Sequence, residues 1–165
     1  MTATIHWEDL QAGSVRELGT TSVTVDEIKE FAGKYDPQPF HLDEEAGRRS
    51  LFGGLCASGW HTCALAMRLT VDNMLRHSTS LGSPGLESLK WLKPVYPGDV
   101  LSLRHTILES RALRKRADTG IVRSRWEMFN QDGDRVLEME GYGFFRRRHP
   151  ATAEELARLD AERGA

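Results

Sequence analysis

The chain has 165 residues and a mass of 18.6 kDa, enough for one well-filled core and short for two, so we expect a single domain. A formal net charge of −2 gives no electrostatic reason to expect nucleic acid or an anionic membrane as a partner. The first ten residues lack the basic start and apolar run of a signal peptide, and polar residues interrupt the apolar stretch 51–71. We therefore expect a cytoplasmic protein without a membrane segment.

The two cysteines indicate the same compartment. Cys56 and Cys63 lie in one apolar stretch, without the spacing of a redox pair or a zinc site. We interpret them as buried free thiols. The acidic run from Asp43 to Glu45 is typical of a solvated helix start, and no metal is predicted.

The first elements are short. Residues 14–25 predict an extended segment, and Thr24 followed by Glu27 is a capping box that opens a helix. We expect Gly33 to end this helix. Its predicted core-facing residues are Ile28, Phe31 and Ala32.

A proline-rich segment follows, Tyr35-Asp36-Pro37-Gln38-Pro39. Proline lacks a backbone donor and restricts the residue before it, so this segment is predicted to be a stiff loop that presents Asp36 and His41. Asp43 can cap a further short helix, which the glycines at 53 and 54 bring to an end.

The longest predicted helix covers residues 58–76. Its apolar residues cover more than one stripe, which predicts a helix surrounded by protein on most sides.

The second half of the chain changes to an alternating pattern. Alternation and turn residues predict antiparallel strands at Leu86–Leu92, Leu101–Ile107, Val122–Met128 and Val136–Phe145, the last two joined at Asp132-Gly133. A capping pattern at Thr152 then starts a helix that we expect to be peripheral, over 149–165.

One apolar helix followed by antiparallel strands has an economical packing solution, in which the sheet curls around the helix. The predicted fold is therefore α+β, a single hot-dog domain over 1–148. One such unit leaves part of the helix and a sheet edge uncovered, which predicts a homodimer or a larger homo-oligomer built from dimers.

Three segments carry a resemblance to a known family. Residues 35–43, Phe52 and the run Ala57-Ser58-Gly59-Trp60-His61 resemble the MaoC-like dehydratases and R-specific enoyl-CoA hydratases, whose motif is Asp-x-Asn-Pro-x-His followed by His-Gly at the start of the central helix. The Pro-Gly corner at 93–99 is similar too. The resemblance spans roughly residues 15–147.

This resemblance implies a function and a site. Asp36 and His41 match the catalytic dyad, and Gly59 matches the glycine whose amide holds the thioester oxygen. Two positions depart from the pattern: Gln38 replaces asparagine, and Ser58 replaces histidine. With Gly59 and Trp60, they are the residues expected to contact an acyl-CoA substrate, and no cofactor is expected besides the coenzyme A of that substrate.

The chemistry explains the need for two such groups. Adding water across a 2-enoyl thioester requires a base for the water and an acid for the second carbon. A proline-stiffened loop can hold Asp36 and His41 on one side of a pocket with little entropy left to lose.

Other interpretations stay open. A hot-dog thioesterase would use Asp36 to direct water at the thioester carbonyl, and a non-catalytic acyl-CoA-binding subunit would keep only the fold.

His61 and His105 fit hydrogen-bonded packing residues better than catalysts. Solvated surface charge explains the basic runs 111–116 and 146–148, although either could meet coenzyme A phosphates. Trp60, Met67 and Trp91 fit core packing or an acyl tunnel.

Overall fold

In the computed structural model, which describes residues 4–161, one five-stranded antiparallel sheet accompanies five α-helices. The strands are β1 (Val15–Ser22), β2 (Ser80–Trp91), β3 (Val100–Ala112), β4 (Thr119–Phe129) and β5 (Arg135–Arg146). The helices are α1 (Val25–Tyr35), α2 (Pro39–Leu42), α3 (Glu44–Arg49), α4 (Gly59–Asn73) and α5 (Ala153–Ala161).

The sheet has the order β1-β3-β4-β5-β2, so β1 and β2 are its edges. The four predicted strands are confirmed. β2 begins at Ser80, earlier than the alternation predicted, because its first half is exposed and pairs with β5 through register shifts. Gly82 and Gly85 in that half adopt positive φ, which side chains rarely tolerate.

The core lies between the concave face of the sheet and α4. Leu101, Leu103 and Ile107 of β3 are fully buried, as the alternation predicted, and they pack in one cluster with Ala66 and Leu69 of α4. The predicted α+β hot-dog arrangement, with a curled sheet around a long helix, is thereby confirmed.

The prediction that α4 is surrounded on most sides is wrong for the single chain. Its buried residues follow one face, whereas Trp60 and Met67 on another face are 57% and 54% exposed. The helix also ends at Asn73, before the expected Arg76, and a 3-10 turn follows. The sheet of one chain covers only one side of the helix.

The predicted capping box of α1 is confirmed: the Glu27 amide donates to Thr24 Oγ1 at 3.2 Å, and the Thr24 amide to Glu27 Oε2 at 2.8 Å. The prediction that Gly33 ends this helix is wrong. Gly33 keeps helical backbone geometry, and the helix continues to Tyr35. Asp36 is the first residue outside it, since Pro37 disfavours helical geometry in the residue before it.

The predicted stiff loop is confirmed at residues 36–38 but is shorter than expected. Pro39 is the first residue of the one-turn helix α2, where its fixed φ is favourable, and His41 lies within that turn. The predicted cap of α3 is confirmed, because the Ala46 amide donates to Asp43 Oδ1 at 2.8 Å.

The predicted C-terminal helix is present as α5, capped by a hydrogen bond from the Glu155 amide to Thr152 Oγ1. Residues 1–3 of the predicted domain and 162–165 of the predicted helix lie outside the described residues. None of the helices within 4–161 is long and apolar enough to cross a membrane.

Candidate active site

Asp36 lies where α1 gives way to the proline-rich segment. Its amide still donates to the Ala32 carbonyl at 2.9 Å, which fixes its backbone to the last turn of the helix. Its side chain is 19% exposed. The carboxylate therefore projects from a rigid helix end and stays within reach of solvent.

His41 is held by a backbone carbonyl. The ring is buried, and its Nδ1 lies 2.7 Å from the Cys56 carbonyl oxygen. Because a carbonyl only accepts hydrogen bonds, Nδ1 carries a proton, and in the neutral ring Nε2 is the acceptor. Nε2 lies 3.5 Å from Asp36 Oδ2, so the structure brings together the two side chains that the sequence singled out.

Both oxygens of the Asp36 carboxylate accept a hydrogen bond. Ser58 Oγ donates to Oδ2 at 2.6 Å, and Gln38 Nε2 donates to Oδ1 at 2.7 Å. Burial raises the pKa of Asp36, but the bonds from Ser58 and Gln38 and the charge of His41 outweigh it, and the net pKa is lowered. The two departures from the family motif thus contact the carboxylate itself.

The amino end of α4 faces the same place. Gly59 is the first residue of α4, and its amide has no hydrogen-bond acceptor within residues 4–161. The Trp60 amide donates to Ser58 Oγ at 3.3 Å. A free amide at the positive end of a helix dipole suits a developing oxyanion.

Trp91 of β2 packs directly on Gly59. A Cβ at position 59 would lie 2.5 Å from Trp91 Cε2, so only glycine fits under the ring. Trp60 and Trp91 meet edge to face at 5.3 Å between ring centroids. The space beside the Gly59 Cα, which we predicted would let a ligand approach the backbone, is therefore occupied by the Trp91 ring.

These groups open into a cavity of about 550 Å³. Five of its lining residues are aromatic: Tyr35, Phe40, Phe52, Trp60 and Trp91. Its charged lining residues besides His41 are Asp36 and Lys93, and Lys93 Nζ already lies 2.6 Å from Asp134. Met67, which was grouped with the tryptophans in the tunnel hypothesis, is not among the lining residues.

Two supports of the site escaped the sequence reasoning. The Cys56 carbonyl that orients His41 carries no sequence signal, because every residue has a carbonyl. The corner after β2 also holds the site: the Ala57 amide donates to the Val95 carbonyl at 2.8 Å, and Tyr96 Oη donates to the Phe52 carbonyl at 2.5 Å. The Pro-Gly corner was the only signal of this second support.

Neither of the other two buried histidines, His61 and His105, lines this cavity. His61 stacks on Phe31 at 4.6 Å, and His105 lies in the core beside Trp126. Both rings pack as expected, but the expected hydrogen bonds are missing at His61 Nδ1 and at both nitrogens of His105, which lack a partner within residues 4–161. Burial lowers the pKa of both, for His105 to about 4. Within that range no group of three or more His, Cys, Asp or Glu residues is arranged to hold a metal ion.

Comparisons of the sequence and of the fold with known proteins point to the same family. The chain is 30% identical over 133 residues to the uncharacterized protein YdeM of Bacillus subtilis, covering 81% of this chain and 93% of that one. The MaoC-like dehydratase from Rhodospirillum rubrum superposes with a TM-score of 0.83 at 41% identity, covering 88% and 99% of the two chains.

R-hydratase PhaJ1 from Pseudomonas aeruginosa has the same fold, with a TM-score of 0.68 at 23% identity and coverage of 90% and 94%. The family model of the MaoC like domain matches residues 10–125, which include the dyad, the start of α4 and most of the sheet. The chain therefore belongs to the MaoC-like domain family.

Proposed function

We propose that the protein catalyses the reversible hydration of a 2-enoyl-CoA to a 3-hydroxyacyl-CoA, a reaction of fatty acid metabolism. The observation that carries this proposal is the 3.5 Å approach of Asp36 Oδ2 and His41 Nε2 at the rim of an aromatic cavity. Membership of a family that includes a MaoC-like dehydratase supports it.

In the hydration direction, ionised Asp36 takes a proton from the water that attacks the third carbon. The lowered pKa of Asp36 keeps its carboxylate ionised at neutral pH, as a base requires. Protonated His41 gives its Nε2 proton to the second carbon, which completes the addition. The proton on Asp36 can then return to His41 across the short gap between them.

Negative charge develops on the thioester oxygen while water adds. The Gly59 amide at the amino end of α4 is the donor we assign to that oxygen. Because this amide has no acceptor within residues 4–161, it gives up no hydrogen bond to the protein when the substrate enters. Trp60 and Trp91 would then flank the acyl group.

We also propose that the active unit is a homodimer joined through β2. This edge strand is exposed along most of its length, and its apolar residues include Leu86 and Trp91, at 50% and 48% exposure. Pairing two such strands would satisfy their free backbone groups and cover the open face of α4. A cytoplasmic location agrees with the two free cysteines.

The test follows the ultraviolet absorbance of the conjugated thioester for a series of 2-enoyl-CoA chain lengths. Asp36→Asn should lower kcat/KM by about 10² to 10⁴, the usual contribution of one general base. Asp26→Asn, which changes an exposed carboxylate at the other end of the same helix, is the matched control. Equal rates in wild type and Asp36→Asn would remove the assigned role.

The same assay separates the rivals. Release of free coenzyme A thiol, without change at the double bond, would indicate a thioesterase. Thermal stabilisation by acyl-CoA without any turnover would indicate a binding subunit.

A further inference from the structure

A second cavity lies at the opposite end of the sheet from the dyad. It measures about 450 Å³ and is formed by the β3–β4 hairpin and α5. Its lining residues are Arg111, Leu113, Arg114, Lys115, Arg116 and Asp160. Four cations and one carboxylate thus surround one concave space.

Two of these cations are available for a ligand. Arg114 Nη1 lies 3.7 Å from Asp160, and Arg116 Nε lies 4.0 Å from Asp118. Arg111 and Lys115 have no ion pair within residues 4–161. Unpaired guanidinium and ammonium groups beside a cavity suit a phosphate, which arginine can bind through two parallel hydrogen bonds.

The catalytic cavity lacks such groups. Its lysine, Lys93, is engaged by Asp134, and no arginine lines it. A coenzyme A thioester carries a diphosphate and a ribose phosphate at the end away from the acyl group. The catalytic cavity therefore offers no unpaired arginine or lysine to these phosphates.

The basic cavity of the same chain is too far away to supply such cations. Leu103, Met128, Leu137 and Trp91 form one row across the sheet at the catalytic end, and Gly120, Phe145 and Ser80 form a row at the hairpin end. The eight residue steps from Gly120 to Met128 span about 26 Å at 3.3 Å per step.

Pairing through β2 changes this relationship. Two copies of one edge strand related by a twofold axis run antiparallel, so the hairpin end of one sheet lies at the catalytic end of the other. The partner's β4, which forms one side of its β3–β4 hairpin, would lie about 10 Å from the shared edge, two strands inward at 4.8 Å each. Its basic cavity would then lie beyond the mouth of this chain's catalytic cavity.

We propose that the cavity of the β3–β4 hairpin and α5 binds the adenosine phosphates of a coenzyme A thioester whose acyl group occupies the partner's catalytic cavity. This inference rests on the proposed function and the proposed dimer. The concave shape of the basic cavity favours a small phosphate-bearing ligand over the flat acidic surface of a carrier protein.

The first experiment compares two substrates. Arg111→Gln/Lys115→Gln should raise KM for a 2-enoyl-CoA by about tenfold or more, from the loss of two charge-assisted contacts. KM for the N-acetylcysteamine thioester of the same acyl group, which has no phosphate, should not change. Arg76→Gln/Arg104→Gln, two exposed arginines outside both cavities, is the charge-matched control. An equal KM effect on both substrates, or an effect only on an acyl-carrier-protein substrate, would overturn the proposal.

The second experiment tests whether the cavity serves the other subunit. A doubly tagged heterodimer pairs an Asp36→Asn chain with an Arg111→Gln/Lys115→Gln chain. If each basic cavity binds the substrate of the other subunit, one active site keeps both its Asp36 and an intact basic cavity. The heterodimer then has the wild-type KM and about half the wild-type kcat. Service within one chain gives only the raised KM and would refute the intersubunit arrangement.

Calorimetric titration with adenosine 3′,5′-bisphosphate separates this inference from the proposed reaction, because it needs no turnover. Wild type should bind this probe, and the hairpin variant should bind it at least tenfold more weakly. Equal binding by both would sink the phosphate site even if hydration is confirmed. Loss of binding in the variant would support it even if no enoyl-CoA is hydrated.

Discussion

Ser58 Oγ donates a hydrogen bond of 2.6 Å to Oδ2 of Asp36, and Ser58 is fully buried. The same hydroxyl accepts from the Trp60 amide as the N-cap of α4. One side chain therefore fixes the proposed base and also the start of α4, whose first residue, Gly59, lines the same cavity. We therefore predict that Ser58, which departs from the family motif, positions Asp36.

Ser58→Ala should move the acid side of the kcat/KM profile to higher pH. The bond from Ser58 lowers the pKa of Asp36, so its loss raises that pKa, and the base becomes protonated at a higher pH. The lost cap should also cost about 1 kcal/mol of stability. Thr24→Ala, which removes the cap of α1, is the control: it should cost similar stability and leave the pH profile unchanged. An unshifted profile for Ser58→Ala would contradict this role.

Gly59→Ala should lower the free energy of unfolding by about 1–3 kcal/mol, because the new Cβ would overlap the Trp91 ring. Urea denaturation measures this loss. Combining Gly59→Ala with Trp91→Leu should cost less than the sum of the single changes, since the two positions are in contact. Gly33→Ala, at an exposed helical glycine with open space around it, should instead stabilise by about 0.5–1 kcal/mol. Additive losses would show that Trp91 does not set the requirement for glycine.

His105 should make the protein less stable as pH falls from about 6.5 towards 4. The ring is 1% exposed with neither nitrogen partnered, and burial followed by the charge of Arg16 lowers its pKa to about 4. The unfolded chain binds the proton more tightly, so stability is present above the unfolded pKa and is lost below it. The loss should reach about 2 kcal/mol at pH 5.

Urea denaturation of wild type and His105→Leu at pH 7 and pH 5 checks this. The variant should lose this part of the pH dependence, whereas His77→Gln, at an exposed histidine, should keep it. The same slope in wild type and His105→Leu would assign the acid sensitivity to other groups.

Leu86→Glu should convert the proposed dimer to a monomer. It places a charge on the exposed edge of β2, where like charges from two copies would meet without water. Val15→Glu places the same charge on β1, the opposite edge, at 55% exposure, and should leave the mass unchanged. Sedimentation equilibrium gives the masses, and a monomeric wild type would exclude the dimer.

The sequence by itself determined most of the elements and the pairing of β4 with β5 across the Asp132-Gly133 turn, but not the pairing of β2 with β5 at the far edge of the sheet. The alternation in β3 and β4 and the capping box at Thr24 depend on local geometry and on burial of one face, and both are encoded within a few residues. The same local rules misjudged Gly33, because a glycine in open space can stay helical when its neighbours are held in place. The motif around Asp36 and His41 also singled out two side chains that the structure brings within 3.5 Å of each other.

Only the tertiary structure decided what holds that pair. Ser58 is 22 residues from Asp36, and the Cys56 carbonyl is 15 residues from His41, so no local pattern predicts either bond. The exposed face of α4 could likewise not be predicted from its apolar pattern, because an exposed apolar face and a core face contain the same residue types. Hydrophobic periodicity indicates which face of an element is apolar, whereas the packing of distant segments determines what covers that face.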